Sequence, residues 1–153
     1  FLGTANDHQL VESSGRNRSI NRHVWQEEEL MAVIDAPRSI HARVLNGLCR
    51  MLAIRRRQPA FHPNAFQFTM HLGLKLFAYW RQSIDRSQSI FCVYNVTDEP
   101  QEVLLSDVNL IGTDNWLDLL TGEEVRDIHG VMTLAPYRAL WLSNRSYGAP
   151  VPH

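Results

Sequence analysis

Three short runs within residues 65–97, AFQFTMHLGLKLFAYWRQSIDRSQSIFCVYNVT, are rich in aromatic and β-branched side chains and are separated by Gly, Asp and Ser. Runs of this length and composition predict β-strands. Similar runs follow at residues 101–106, 115–122 and 131–143, with no helical spacing between them. We therefore expect about six antiparallel strands, which form a sandwich over residues 64–145.

The same runs predict details of that sandwich. In the segment LLTGEEV, residues 119–125, a tight hairpin is expected, with Gly122 supplying a positive φ angle. The inner face is expected to carry Phe77, Tyr79, Phe91, Val93 and Leu140.

Upstream of this region, apolar side chains recur every three or four residues, which is the spacing of a helix packed on one side. A long helix is predicted within residues 38–57, and shorter ones within 26–36 and 6–14, the last capped by Asn6 or Asp7. The apolar stripe of the long helix consists of Ile40, Val44, Leu48, Met51 and Leu52.

Pro59 and Pro63 prevent the long helix from continuing, and they mark the change of pattern. The predicted organisation is a helical part, residues 1–60, a β domain, residues 64–145, and a tail, residues 146–153. Three short helices offer too little mutual surface to bury their own stripes. The helical part is therefore expected to pack on a polypeptide partner.

Composition limits the class of protein. The chain has 153 residues, 44% hydrophobic and 20% charged, with a net charge of -1, which argues against a nucleic-acid partner. The longest apolar run is far shorter than a membrane span, so no membrane partner is expected. Cys49 and Cys92 lie in apolar settings and are interpreted as reduced core residues of a cytoplasmic protein. The oligomeric state is left open.

Few motifs point to chemistry. The seven histidines lack metal-ligand spacing, and phosphate-loop, dinucleotide and nucleophile-elbow motifs are absent, so no metal or cofactor is expected. Glycosyl transfer uses two carboxylates, so acidic side chains are candidates: Asp7 and three further groups. The further groups are Glu27–Glu29 and Glu123–Glu124, both interpreted as solvated, and Asp114 with Asp118, the latter predicted on the solvent face. The acceptor motif at Asn95 is interpreted as fortuitous.

One basic loop remains. In NRSINRH, residues 17–23, Arg18 and Arg22 lie four apart among polar side chains. A guanidinium is a planar fork of donors, so such an arginine can hold a ligand or can be a surface charge. Composition alone leaves both interpretations open.

Residues 2–23, LGTANDHQLVESSGRNRSINRH, resemble the segment after the eighth barrel strand in the sucrose phosphorylase group of glycoside hydrolase family 13, the α-amylase family. The helix exit RRRQPAFHPN is similar to that of the last barrel helix. NWLDLLTGEEV and TLAPYRALWL are similar to the closing strands of domain C in that family. The matched positions of the opening loop are Gly3, Asn6, Asp7, Arg18, Ile20, Asn21 and Arg22.

The resemblance implies an α+β fold: the terminal loop and helices of a (β/α)8 barrel, followed by an antiparallel β-sandwich domain C. It implies that Arg22 hydrogen-bonds the glucosyl unit in the −1 subsite. Loop-supporting roles are implied for Asn6, Asp7, Asn21 and His23.

The resemblance also implies a retaining phosphorylase that acts on an α-glucoside with inorganic phosphate and needs no cofactor. Its closest subgroup is glucosylglycerate phosphorylase, and sucrose phosphorylase is next. The family's nucleophile aspartate, acid/base glutamate and second aspartate come from earlier barrel strands, so no catalytic residue is expected in this chain, which alone would be inactive. The alternatives are another family 13 α-glucosidase or transglucosidase, and an independent carbohydrate-binding β-sandwich that uses an exposed Trp80, Trp116 or Trp141.

Overall fold

The computed structural model describes residues 3–108, 110 and 115–147. These residues form two compact units that divide after Leu52: the helical unit, residues 3–52, and the β unit, residues 53–147. Asp114 and residues 148–153 of the predicted tail lie outside the described residues. The predicted boundaries at 60 and 64 stay predictions.

The helical unit contains the predicted helices. Helix α1 spans His8–Ser14, α2 spans Glu27–Ile34, and α3 begins at Ile40 and ends at Arg56, in the β unit. A 3₁₀ helix, Asn17–Asn21, lies between α1 and α2. Asp7 caps α1 as predicted, because its Oδ1 accepts the Leu10 N–H at 2.8 Å.

The helical unit has almost no interior. Among residues 3–52 only Ser19 and Ala42 are buried. Three residues of the α3 stripe are exposed, Ile40 at 58%, Leu48 at 38% and Leu52 at 45%. The unit therefore leaves the apolar face of its longest helix uncovered.

The described residues of the β unit form seven strands and a short helix, α4, at Leu105–Val108. A 3₁₀ helix, Pro59–Phe61, precedes the strands. Its five-stranded sheet has the order β1-β2-β3-β7-β5, and its two-stranded sheet pairs β4 with β6; all pairs are antiparallel. The strands are β1 Phe66–Met70, β2 Leu76–Gln82, β3 Ser89–Asn95, β4 Gln101–Leu104, β5 Leu117–Asp118, β6 Val131–Leu134 and β7 Ala139–Ser143.

Both sheets contribute to one hydrophobic core. Phe91, Val93 and Leu140 of the large sheet lie in this core, as predicted, together with Val103 and Leu134 of the small sheet. This arrangement confirms the mostly antiparallel β architecture that the strand pattern predicts. The barrel part of the predicted fold stays a prediction.

The prediction that Phe77 and Tyr79 lie on the inner face of the sheet is wrong. Phe77 is 54% exposed and Tyr79 is half-buried, whereas Ala78 between them is buried in the core. Ala78 pairs with Val93 across β2 and β3, so it shares the inner face with Val93, and its neighbours point to the other side. Both faces of β2 carry aromatic side chains, which is why alternation alone did not identify the inner one.

Three predicted strands differ from the structure. Residues 131–143 form two strands in different sheets, because Pro136 and Tyr137, at a φ angle of 57°, turn the chain between them. The run 101–106 ends as the helical turn α4, and the run 115–122 keeps only two strand residues before the hairpin. In that hairpin Gly122 has a φ angle of 79°, as predicted, and donates its N–H to Asp118 O at 2.7 Å.

Asn95 is a structural residue of the β unit. Its Nδ2 donates to the carbonyl oxygens of Glu99, Leu134 and Ala135 at 2.7, 3.2 and 3.0 Å, and its Oδ1 accepts from Thr97. The residue is only 2% exposed, so in this fold its amide is not accessible for glycosylation. These bonds hold β3 against the loop that follows β6.

Replacing Asn95 by Ala should destabilise the β unit strongly. The substitution leaves buried carbonyl groups without donors, and we expect a loss of about 2–4 kcal/mol in the free energy of unfolding. Urea titration of the 153-residue chain measures it. Asn46→Ala, at an exposed position of α3, is the matched control and should change stability by less than about 0.5 kcal/mol. Equal stability of the two variants would contradict this role.

Candidate functional site

The segment that precedes α2, residues 3–26, turns at two glycines that have positive φ angles. Gly3 has a φ angle of 75°, and a Cβ added there would lie 3.3 Å from Ile40 Cγ1. Gly15, at a φ angle of 63°, ends α1 and donates its N–H to Val11 O. A glycine is favoured at each position, since other residues rarely adopt positive φ.

Asp7 ties the two ends of this loop together. Besides capping α1, it donates its backbone N–H to Ile20 O at 2.6 Å. Ser14 and the buried Ser19 add a hydroxyl contact at 3.2 Å. The ties fix α1 against the 3₁₀ helix, which ends at Asn21.

Arg22 follows directly. Its N–H donates to Ser19 O at 3.1 Å and ends the 3₁₀ helix, while its side chain is exposed and forms no ion pair with a described residue. Asn6 and Asn21 are also exposed, and no side-chain hydrogen bond joins either of them to the described part of the chain. The structure thus presents the Arg22 guanidinium outward from a fixed turn; its predicted sugar contact and the loop-supporting roles of its neighbours stay predictions.

Sequence reasoning missed the ring cluster that follows Arg22. The His23 and Trp25 rings lie nearly perpendicular with centroids 4.7 Å apart, and Trp25 meets His41 of α3 in the same way at 5.1 Å. Edge-to-face contacts of this kind are favourable. They connect residues 23–25 to α3, a connection that sequence spacing could not reveal.

The acidic pairs have different surroundings. Glu27–Glu29 lie exposed in the first turn of α2, and Glu123 and Glu124 are exposed in the hairpin, as predicted. Asp118 was predicted on the solvent face, and this prediction is wrong, because the residue is 2% exposed.

Asp118 is buried because partners from distant parts of the chain compensate its charge. Its Oδ1 accepts the N–H groups of Leu120 and Trp141, each at 3.1 Å. Arg138 lies 3.6 Å from its Oδ2. The carboxylate therefore fixes the hairpin to β7 and is a structural group.

Another polar network holds residues 58–62, which precede β1, against the large sheet. The Gln88 amide donates to Gln58 Oε1 at 2.7 Å and to Arg145 O at 2.9 Å, and accepts from the Ala60 N–H at 3.0 Å. Arg81 donates to Ala60 O and His62 O. Both glutamines are buried and paired, so the network fixes residues 58–62 within the β unit.

Ionisable groups on the outer face of β2 and β3 have shifted pKa values. Burial raises the pKa of Tyr79, and its hydrogen bond with Tyr94 at 3.0 Å raises it further. Burial also raises the pKa of Tyr94, which accepts from the Trp141 indole at 2.9 Å. Both phenols are therefore neutral donors and acceptors at physiological pH.

No three His, Cys, Asp or Glu side chains among residues 3–108, 110 and 115–147 are grouped to hold a metal ion. In the same residues, none of the helices is long and apolar enough to span a bilayer.

Comparison with known proteins identifies the family of the β unit. Residues 66–141 match the family model of the maltogenic amylase C-terminal domain. The β unit belongs to that family. The resemblance to glycoside hydrolase family 13 is thereby confirmed.

Relatives extend this similarity to the helical unit. Glucosylglycerate phosphorylases of Allomeiothermus silvanus and Spirochaeta thermophila are 35% and 33% identical over 142 and 141 residues, which cover 93% and 90% of this chain. A trehalose synthase/amylase of Mycobacterium tuberculosis is 30% identical over 125 residues. The chain spans 22% of the length of each phosphorylase and 20% of the trehalose synthase/amylase.

Solved structures show the same fold. The crystal structure of AmyP in complex with maltose aligns with a TM-score of 0.59 at 18% identity. The alignment covers 72% of this chain and 22% of that one. At this identity the likeness concerns architecture alone.

The two cysteines should differ in reactivity. Cys92 is buried, as predicted, and burial raises the pKa of its thiol to about 12. The prediction that Cys49 is a core residue is wrong, because Cys49 is exposed on α3 in this chain. Only a thiolate attacks a disulfide reagent. We therefore expect one fast-reacting thiol per folded chain at pH 8, and two after denaturation.

A colorimetric thiol assay counts these groups. Cys49→Ser is the control and should leave the folded chain unreactive. Fast labelling of the folded Cys49→Ser variant would contradict the burial of Cys92.

Proposed function

We propose that the chain is the C-terminal part of a retaining α-glucoside phosphorylase. The reaction transfers the glucosyl group of an α-glucoside such as glucosylglycerate or sucrose to inorganic phosphate, giving α-glucose 1-phosphate and the free acceptor. The observation that carries this proposal is the similarity to glucosylglycerate phosphorylases over 90% or more of the chain, which includes the Arg22 loop.

In this proposal a barrel polypeptide supplies the reacting groups. One carboxylate attacks the anomeric carbon as the glycosidic bond breaks, and a carboxylic acid protonates the leaving oxygen; phosphate then displaces the enzyme carboxylate. In this proposal both carboxyl groups belong to residues outside the chain. The catalytic face of a barrel is formed by the loops that follow its strands, which is the position proposed for residues 3–26.

Arg22 would bind the glucosyl unit. Its guanidinium offers donors only, so it pairs with hydroxyl oxygens of the sugar. Its exposed side chain and the fixed turn below it support this role. An interaction that strengthens as the sugar ring flattens lowers the barrier of the glucosyl transfer itself.

The same barrel would cover the helical unit. The exposed stripe of α3, with Ile40, Leu48 and Leu52, supports a packing surface of this kind, because large uncovered apolar faces mark interaction sites. The β unit, which has its own core, would then be a structural domain that anchors the end of α3.

A second candidate is a family 13 transglucosidase without phosphate dependence. The similarity to a trehalose synthase/amylase, over 76% of the chain, favours it. Phosphate dependence separates the two candidates.

A chimera tests the proposal, with this chain replacing the matching C-terminal region of the Allomeiothermus silvanus phosphorylase. We expect phosphate-dependent release of α-glucose 1-phosphate from glucosylglycerate. Arg22→Ala should lower kcat/KM by about a hundredfold or more, because it removes donors that act in the transition state. Arg22→Lys should recover little, since an ammonium lacks the planar fork.

Arg38→Ala, an exposed arginine between α2 and α3, is the control and should leave kcat/KM unchanged. If Arg22→Ala retained the activity of the unmodified chimera, the role of Arg22 would be wrong. A folded chimera that isomerises or hydrolyses α-glucosides without phosphate would favour the second candidate.

A further inference from the structure

The β unit contains a pocket of about 330 Å³ at the end of the large sheet where β2 ends and β3 begins. Helix α4 and Trp116 complete its walls. This volume falls within the range of small-ligand pockets, roughly 300–1,000 Å³. The pocket lies entirely within the β unit, so it can be considered without the helical unit.

Its apolar lining is mainly aromatic. Trp80 stacks on Phe91 across β2 and β3, with centroids 5.9 Å apart and an interplanar angle of 16°. Phe91 contacts Trp116 at 5.4 Å. Aromatic rings of this kind pack well against the C–H groups of a flat, partly apolar ligand.

Polar side chains without internal partners surround these rings. Gln82, Ser89 and Asp107 all line the pocket, and none forms a side-chain hydrogen bond with another described residue. Ser89 is only 6% exposed as a residue, but its hydroxyl oxygen is not one of the buried unpaired atoms, so it is accessible from the pocket. A hydroxyl without a partner in the described protein can pair with a ligand.

Trp80 adds an unpaired donor. Its Nε1 is shielded from water and has no hydrogen-bond partner in the part of the chain that the structure describes. An unpaired buried N–H is unfavourable, and a ligand oxygen would satisfy it. Because the nitrogen is covered in this structure, that contact requires a small shift of the ring.

The charges indicate what kind of ligand fits. Among the described residues, the lining contains one carboxylate, Asp107, and neither a lysine nor an arginine. An anion such as a phosphate or glycerate would meet a like charge with no compensating cation. Amide, hydroxyl and carboxylate groups beside aromatic rings suit a neutral ring with several hydroxyl groups.

We propose that this pocket binds a neutral sugar, with Gln82, Ser89 and Asp107 pairing its hydroxyl groups and the aromatic rings packing against its C–H face. The site does not depend on the proposed phosphorylase reaction. The 153-residue chain can therefore be tested for it directly.

The test uses NMR of the tryptophan indole N–H groups, titrated with glucose, maltose and α-glucose 1-phosphate. The Trp80 signal is assigned by its loss in Trp80→Phe. We expect maltose or glucose to shift this signal with a millimolar dissociation constant. The anionic sugar phosphate should bind at least about fivefold more weakly than glucose, because it meets the Asp107 carboxylate.

Variants at the polar positions separate binding at this pocket from binding elsewhere. Gln82→Ala and Asp107→Asn should each weaken binding by about fivefold, the effect of losing one hydrogen bond. The matched controls are Gln9→Ala on α1 and Asp98→Asn, both exposed, which should leave the affinity unchanged. The proposal is overturned if no neutral sugar shifts the Trp80 signal, if all four variants bind alike, or if the sugar phosphate binds more tightly.

Discussion

Among the described residues, nearly all buried apolar side chains lie in the β unit, with Ala42 the exception in the helical unit, and this unequal burial limits which part of the chain can be stable by itself. Apolar burial is the main favourable contribution to folding. In the β unit, Leu140, Val93 and Leu134 are fully buried in a core shared by two sheets. In residues 3–52 only Ser19 and Ala42 are buried, so hydrogen bonds and caps hold local turns without an interior.

The proposed function, which rests on the similarity to glucosylglycerate phosphorylases, agrees with this contrast. A loop such as that around Arg22 can be fixed locally, since the Asp7 cap, the Asp7–Ile20 bond and the glycine turns are all short-range. The face of α3 needs a longer-range partner. A phosphorylase barrel would satisfy both needs, because it would cover the α3 stripe and place a sugar opposite Arg22.

Much of the fold could be predicted from local sequence. The Asp7 cap, the helix ends and the Gly122 turn depend on residues close in sequence, and the strand positions depend on local composition. The remaining features depend on distant partners. Asp118 is buried because Trp141 and Arg138 approach it from β7 and the turn before it, and the sequence around Asp118 contains no sign of them.

The site was less predictable than the fold. Arg22 was singled out by a family resemblance, since spacing alone left a ligand clamp and a surface charge open. The contact of Trp25 with His41 and the pocket beside Trp80 join residues that are far apart in the chain. The inner face of β2 is set by the pairing of Ala78 with Val93 in β3. The sequence of β2 alone does not identify this face, because Ala78 lies between two larger aromatic residues.

We expect the helical unit to depend on a partner surface, whereas the β unit is stable through its own core. Amide hydrogen exchange, measured residue by residue in the isolated 153-residue chain, tests this expectation. We expect β3 and β7 to exchange only through global unfolding of the β unit, and amides of α3 before Leu52 to exchange at least about a hundredfold faster. Equal protection of α3 and β3 in the isolated chain would mean that the helical unit is stable without a partner.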